Sequence, residues 1–304
     1  TADDVIITTG SQQGLEFSAK LFLNKGDIVI CESPSYLGAI NAFMAYEPKF
    51  LEVEMDEHGM IISELEKALK ENPNAKMIYT IPDFQNPTGK TMPDDRRKRI
   101  AELASQYKIP VIEDNPYGEL IYEGEVHPAI KSFDKEGWVI FLGTFSKTFT
   151  PGLRLGWIYA SPEILNKYVL IKQGADLQSS SLDQRIAAVF MQKYDLNEHI
   201  KKIRDVYGKR RTLMLESMDK YFPKEIKHTN PYGGLFAWVE LRDDLDAALI
   251  MEECLKENVA YVPGASFFPN SSKKNFFRVN YSCMPEEKIV EGIERLGKVL
   301  YRYY

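Results

Sequence analysis

The sequence has 304 residues, of which 44% are hydrophobic and 27% charged, and its formal net charge is −6. These proportions are ordinary for a globular protein and exclude disordered, collagen-like and coiled-coil classes. The acidic balance argues against a nucleic-acid-binding protein, and no apolar run approaches the ~20 residues that span a bilayer. The length predicts about two domains.

The sequence contains three cysteines, Cys31, Cys254 and Cys283, which are few, odd in number and widely separated. This usage is typical of a reducing compartment. We therefore expect a cytoplasmic protein in which the cysteines act as small hydrophobic residues, and we predict no metal site.

The first half of the sequence alternates short apolar strands with longer helices. The predicted strands cover residues 5–8, 27–31, 50–53, 76–80, 110–113 and 139–142. The predicted helices between them cover 11–23, 36–46, 62–71 and 94–107. This alternation predicts an α/β fold, a three-layer α/β/α arrangement around a mostly parallel sheet. Such sheets bind ligands at the carboxyl ends of their strands, so we look for chemistry there.

The pattern changes in the second half of the sequence. Residues 162–221 are helical, and apolar residues three to four apart predict one long amphipathic helix over about 196–218. A strand at 235–241, a helix at 246–258, a strand at 276–280 and a helix from 285 follow. We expect a large domain over 1–220, which includes the long helix, and a smaller α+β domain over 221–304.

Two segments with glycine and hydroxyl residues follow predicted strands. Residues 9–13, Thr-Gly-Ser-Gln-Gln, offer N–H, hydroxyl and amide donors at a helix start, which suits a phosphate. Alone, they are more typical of a plain helix cap formed by Ser11. Residues 86–91, Asn-Pro-Thr-Gly-Lys-Thr, end like a P-loop, but Phe84 stands where that motif needs glycine. A tight turn is the interpretation that is left.

Charged residues follow the next two strands. Asp114 ends an apolar strand, and a carboxylate buried there needs a cation or hydrogen-bond donors. Alone, it is also typical of an Asx turn before a proline. Lys147 follows Ser146 after the last of these strands, and Arg154 comes seven residues later. A lysine at a concave sheet end can form a Schiff base when its surroundings keep it partly unprotonated.

Taken together, these strand ends supply the groups that a pyridoxal-phosphate site needs. They provide a lysine for a carbonyl, an acid, donors for a phosphate, the amide of Asn86 and the aromatic ring of Tyr36. Each feature is weak alone, whereas their joint occurrence at successive strand ends is specific.

The sequence resembles the fold type I, pyridoxal-phosphate-dependent aminotransferases of class I/II. It is most similar to the branch with 2-aminoadipate, kynurenine and aromatic amino-acid aminotransferases. The matching stretches, in family order, are TTGSQQGLE, ESPSYLGA, PDFQNPTGKTM, EDNPYGEL, GTFSKTFTPGLRLGW, PYGGLFAWVEL, YVPGASFF and FFRVNYS. The resemblance implies transfer of an amino group from an aromatic or 2-aminoadipate-like L-amino acid to a 2-oxo acid such as 2-oxoglutarate.

The resemblance also implies a role for each site residue. It implies that Lys147 holds the cofactor covalently and carries a proton, and that Asp114 pairs with the protonated ring nitrogen. Tyr117 and Asn86 are implied to bind the phenolic oxygen of the ring, and Tyr36 to stack on the ring face. Asn86 and Arg278 are implied to bind the substrate, with Arg278 on its α-carboxylate. The residues implied to bind the phosphate are Ser11, Gln12, Thr144, Ser146 and Arg154.

Members of this family carry an N-terminal arm and helices that cover the active site. We expect that region to precede Thr1 and to influence which substrate side chain is accepted. The resemblance implies a homodimer, and a second tyrosine donated across its interface falls in the same region. Two other functions stay open: a β-lyase that acts on cysteine conjugates, and an aminotransferase-like effector domain of a transcription regulator.

Overall fold

The computed structural model describes residues 2–270 and 273–304. A large sheet of eight strands has the order β1-β8-β7-β6-β5-β2-β3-β4. Its strands are β1 Val5–Thr9, β2 Ile28–Ser33, β3 Lys49–Asp56, β4 Gly59–Met60, β5 Met77–Thr80, β6 Val111–Asp114, β7 Val139–Thr144 and β8 Leu155–Tyr159.

The central strands of this sheet run parallel, which confirms the predicted mostly parallel sheet. Strand β8 was not predicted, because it lies within the motif residues after Arg154. It runs antiparallel to both β7 and β1, so β1 has the same direction as the parallel strands. Residues that precede β8 therefore lie at the same edge as residues that follow β1 and β7.

Helices pack on both faces of the large sheet. Val29 and Cys31 of β2 enter one hydrophobic core, and Ile30 between them enters another, as expected for a strand buried on both faces. The helices are α1 Ser11–Phe22, α2 Leu37–Met44, α3 Ile62–Glu71, α4 Asp94–Tyr107, α5 Pro162–Ala175, α6 Ser181–Lys193 and α7 Leu196–Tyr221. Throughout the described ranges, we find no helix with the length and apolar character that membrane crossing requires.

A second, four-stranded antiparallel sheet follows α7, with the order β11-β12-β10-β9. Its elements are β9 Lys227–His228, β10 Phe236–Glu240, α8 Ala247–Lys256, β11 Val262–Pro263, β12 Phe276–Asn280 and α9 Glu286–Leu300. The predicted long helix and α+β arrangement are confirmed. Met214 and Met218 near the end of α7 pack into the core of this second unit.

Candidate active site

One cavity of about 360 Å³ contains all the candidate site residues. The candidates that line it are Ser11, Gln12, Tyr36, Asn86, Asp114, Tyr117, Thr144, Ser146, Lys147, Arg154 and Arg278. Ile81, Pro116 and Phe236 complete the lining. Residues far apart in sequence thus meet where the resemblance places a cofactor.

The direction of the strands explains this convergence. All but one of the candidate residues end a strand of the large sheet, follow one, or precede the antiparallel strand β8. Arg278 alone comes from the second sheet, where it lies in β12 opposite Trp238 of β10. Arg154 has a φ of 50°, in the left-handed region. Such strained residues cluster at functional sites, which agrees with the position of Arg154 beside the cavity.

Asp114 is buried at the end of β6. Its Oδ2 accepts a hydrogen bond from Tyr79 Oη at 3.0 Å. Its Oδ1 is buried and, within ranges 2–270 and 273–304, has no hydrogen-bond partner. Burial raises the pKa of Asp114 to about 7, opposed by the Tyr79 hydrogen bond and the charge of Lys147. A cationic donor at Oδ1 would favour the ionised form.

Lys147 lies in the same cavity, where the amine is partly removed from water. Burial lowers the pKa of Lys147, the positive charges of Arg154 and Arg278 lower it further, and Asp114 opposes them. A lowered pKa increases the fraction of neutral amine. The neutral amine is the form that attacks a carbonyl or accepts a proton.

Arg154 and its neighbours form a concave group of hydrogen-bond donors. Arg154 Nη1 donates to Ser146 Oγ at 3.2 Å, and Ser146 N donates to Thr144 Oγ1 at 3.1 Å. The guanidinium lies so close to Gly10 that a Cβ there would be 2.7 Å from Nη2. Thr144 Oγ1 donates to Leu155 O at 3.1 Å, so this hydroxyl hydrogen is already used within the chain.

The loop between β2 and α2 brings Tyr36 to the cavity. A Cβ on Gly38 would clash with Cζ of Tyr36, so the tyrosine ring in this position lies directly over a glycine. Gln12 Nε2 donates to Gly38 O at 2.7 Å. Gln12 therefore ties the segment after β1 to the loop that carries Tyr36.

A chain of hydrogen bonds connects the second sheet to the large sheet. Arg278 Nη1 donates to Asn86 Oδ1 at 2.8 Å, and Asn86 Nδ2 donates to Tyr117 Oη at 3.3 Å. The guanidinium lies 4.0 Å from the ring centroid of Phe236, and burial lowers the pKa of Arg278. Arg278 Nε is buried without a hydrogen-bond partner among the described residues. A carboxylate is the natural partner of such a group.

Two interpretations that needed no ligand, a helix cap formed by Ser11 and an Asx turn at Asp114, are wrong. The N-cap of α1 is Gly10, with no side-chain hydrogen bond, so Ser11 does not cap the helix. Asp114 forms no Asx turn, and the side chain that binds the following backbone is that of Asn115, whose Oδ1 accepts from Gly118 N at 2.8 Å.

Sequence reasoning missed two residues that shape this site. Tyr79 binds Asp114, and Phe236 packs against the guanidinium of Arg278. Tyr79 did carry a signal, because a tyrosine hydroxyl in a fully apolar strand must find a partner. Phe236 carried none, because an aromatic residue in an apolar strand is ordinary core.

The chain belongs to the aminotransferase class I and II family, whose model matches residues 1–296. It is a pyridoxal-phosphate-dependent aminotransferase, an enzyme that transfers amino groups.

Several proteins that are similar to this chain are named for the amino acid on which they act. Aromatic-amino-acid aminotransferase 1 of Thermococcus litoralis is 46% identical over 98% of this chain and 72% of its own length. The 2-aminoadipate transaminase of Thermus thermophilus is 42% identical over 98% of this chain and 75% of its own. A kynurenine aminotransferase of Pyrococcus horikoshii, solved in complex with PMP, has a TM-score of 0.96 and 44% identity, covering 98% of this chain and 75% of that one.

The residues present fit pyridoxal phosphate. The buried Oδ1 of Asp114 lacks a donor among the described residues, and a protonated pyridine nitrogen supplies one. Gly10 leaves open the space beside Arg154 that a side chain would fill, next to the donors of Ser11 and Ser146. The cavity therefore offers an acidic group that suits a protonated ring nitrogen and a basic, donor-rich group that suits a phosphate.

Replacing Tyr79 by phenylalanine is expected to raise the pKa of Asp114 further, because it removes a hydrogen bond to the carboxylate. The pKa of Asp114 in the folded protein already exceeds its ordinary value of 3.8. The free energy of unfolding therefore falls as pH rises from 3.8 to about 7, because the unfolded protein releases this proton more readily. In urea denaturation of the cofactor-free protein, Tyr79→Phe should cost about 1 kcal/mol more at pH 8 than at pH 5, because pH 8 lies only about one unit above the wild-type pKa of Asp114.

Tyr168→Phe is the matched control, since Tyr168 is also buried but its hydroxyl pairs with Ser18 at 2.7 Å. Its cost should be the same at both pH values. An equal cost of Tyr79→Phe at the two pH values would contradict the assigned role of Tyr79.

Proposed function

We propose that the enzyme transfers the amino group of an aromatic L-amino acid or 2-aminoadipate to a 2-oxo acid such as 2-oxoglutarate, by a ping-pong mechanism. The names of the similar proteins, which include aromatic-amino-acid, 2-aminoadipate and kynurenine aminotransferases, support this donor class. The observation that carries the proposal is that Lys147, Asp114 and Arg278 line one cavity.

We propose that the chain holds the cofactor at several points. Asp114 keeps the proton on the ring nitrogen, Tyr117 and Asn86 bind the ring oxygen, and Tyr36 covers the ring face. The phosphate is held by Ser11, Gln12, Ser146 and Arg154, and by Thr144, whose hydroxyl would leave Leu155 O in order to donate to it. When bound, pyridoxal phosphate supplies an electron-withdrawing ring that stabilises negative charge on the substrate α-carbon.

Lys147 and Arg278 act on the substrate in this proposal. Arg278 binds the α-carboxylate through its planar guanidinium and orients the α-carbon towards Lys147. Lys147 Nζ accepts the α-proton of the amino donor in the first half-reaction and donates a proton to the α-carbon derived from the 2-oxo acid in the second, and its lowered pKa favours the accepting step. Donor and acceptor both carry an α-carboxylate, so one arginine serves both half-reactions.

Two measurements test this function on the loaded protein. Borohydride reduction is expected to fix the cofactor to the peptide that contains Lys147, and label on another lysine would contradict the assignment. A panel of amino donors with 2-oxoglutarate should form glutamate fastest with aromatic amino acids or 2-aminoadipate. Pyruvate and ammonia released from a cysteine conjugate without an acceptor would instead indicate a β-lyase.

Arg278→Lys is expected to raise KM for every donor and acceptor about ten- to a hundredfold, because an ammonium cannot bind a carboxylate through two parallel hydrogen bonds. Arg242→Lys is the control, since Arg242 is exposed, pairs with Asp244 and does not line the cavity. Steady-state kinetics with several substrates provides the measurement. An effect confined to one substrate would place Arg278 at a side-chain pocket instead.

We also propose that the enzyme is a homodimer. Helix α6 supports this, because Ala187 is its one buried residue and it exposes several large apolar side chains. Those side chains are Leu182, Ile186, Val189 and Met191. Exposed apolar surface of this kind marks interaction sites.

Ile186→Glu is expected to shift the protein from dimer to monomer in sedimentation velocity, because it places a charge within this apolar surface. Leu249→Glu on α8 is the control, since Leu249 is 65% exposed and lies outside α6. An unchanged dimer in Ile186→Glu would exclude α6 as the interface.

The domain division and location are proposals as well. We propose domains over 1–220 and 221–304, which the separate antiparallel sheet supports. We propose a cytoplasmic location, which the free state of Cys31, Cys254 and Cys283 supports. Limited proteolysis and cell fractionation are the respective measurements.

A further inference from the structure

A polar cluster around the buried Lys172 and Ser179 adjoins the phosphate segment, which we define as residues 9–13. Its members are Thr9, Gln13, Lys172, Asp176 and Ser179. None of them lines the active-site cavity. The cluster joins the last turn of α5 to the segment that begins α1.

Lys172 is the centre of this cluster, with its side chain only 5% exposed. Its Nζ donates to Asp176 Oδ1 at 2.8 Å, to Gln13 Oε1 at 3.0 Å and to Ser179 Oγ at 3.1 Å. These bonds use all three hydrogens of an ammonium group. The lysine is therefore held in one orientation and has no donor left for another role.

The same cluster ties both ends of the phosphate segment. Gln13 Oε1 accepts from Thr9 N at 2.9 Å, and Asp176 Oδ2 accepts from Gln13 Nε2 at 2.8 Å and from Thr9 Oγ1 at 3.3 Å. Between these tied ends lie Ser11 and Gln12, which line the cavity. Lys172 and Asp176 are thus connected by hydrogen bonds to residues at both ends of the segment.

We propose that Lys172 and Asp176 are positioning residues that fix the phosphate segment in its binding conformation. The proposal rests on the proposed function, in which Ser11 and Gln12 bind the cofactor phosphate. The two charges neutralise each other, so they act through the geometry of the segment rather than by attracting the phosphate. Without Lys172, Gln13 Oε1 and the buried Ser179 Oγ lose a donor that is itself buried, and the segment can move away from the cavity.

The test compares two ligands that differ only in the phosphate. Cofactor-free protein is titrated calorimetrically with pyridoxal 5′-phosphate and with pyridoxal. Lys172→Met should raise Kd for pyridoxal 5′-phosphate about tenfold and leave Kd for pyridoxal unchanged. Lys167→Met is the matched control, because Lys167 lies exposed in the same helix, and it should change neither value.

Arg154→Met separates this proposal from the proposed function. Arg154→Met should also weaken pyridoxal 5′-phosphate selectively. If it does and Lys172→Met does not, the positioning role is wrong while the phosphate site stands. If Arg154→Met leaves the ratio of the two Kd values unchanged, the phosphate site itself is wrong, and the positioning role fails with it.

Two further outcomes are decisive. Equal weakening of both ligands by Lys172→Met would show a general structural role and overturn the proposal. If Lys172→Met does not fold, by circular dichroism, Asp176→Asn decides in its place, since it keeps the shape of the side chain and removes the charge. Selective weakening of pyridoxal 5′-phosphate by Asp176→Asn supports the proposal, and no selective change overturns it.

Discussion

The site depends on keeping a carboxylate ionised where burial opposes its charge. Burial raises the pKa of Asp114 to about 7, and Tyr79 and Lys147 are the groups that oppose this shift. Neither donates to Oδ1, so the carboxylate is incompletely compensated within the described residues. A buried charge in this condition is costly until a cationic donor arrives. The same deficiency that destabilises the empty site therefore favours a ligand with a protonated ring nitrogen.

The positive charges of the cavity are also incompletely compensated while no anionic ligand is bound. Lys147, Arg154 and Arg278 share the cavity, and the two arginines lower the pKa of the lysine. A phosphate at Arg154 or a carboxylate at Arg278 offsets part of this repulsion. Three cations that destabilise one another thus make the cavity selective for a ligand and substrate with several negative charges.

The residues that could be predicted from the sequence are those whose position follows from strand direction. Ser11, Asn86, Asp114 and Lys147 end or follow strands that run in the same direction, so one topological rule brings them together. Arg154 reaches the same edge for a reason that the sequence pattern did not show, because it precedes the antiparallel strand β8.

Contacts between distant elements could not be predicted. The bond between Lys172 and Gln13 joins residues 159 apart, and nothing in the local pattern of α5 distinguishes Lys172 from a solvated lysine. Asn86 is the clearest case: its local motif is a turn, yet its amide contacts Tyr117 on one side and Arg278 on the other. Through this one side chain, the arginine that we propose for the substrate carboxylate is joined to the tyrosine that we propose for the cofactor ring. A shift of the second sheet would then change substrate and cofactor contacts together, since Arg278 is the only candidate residue that this sheet contributes.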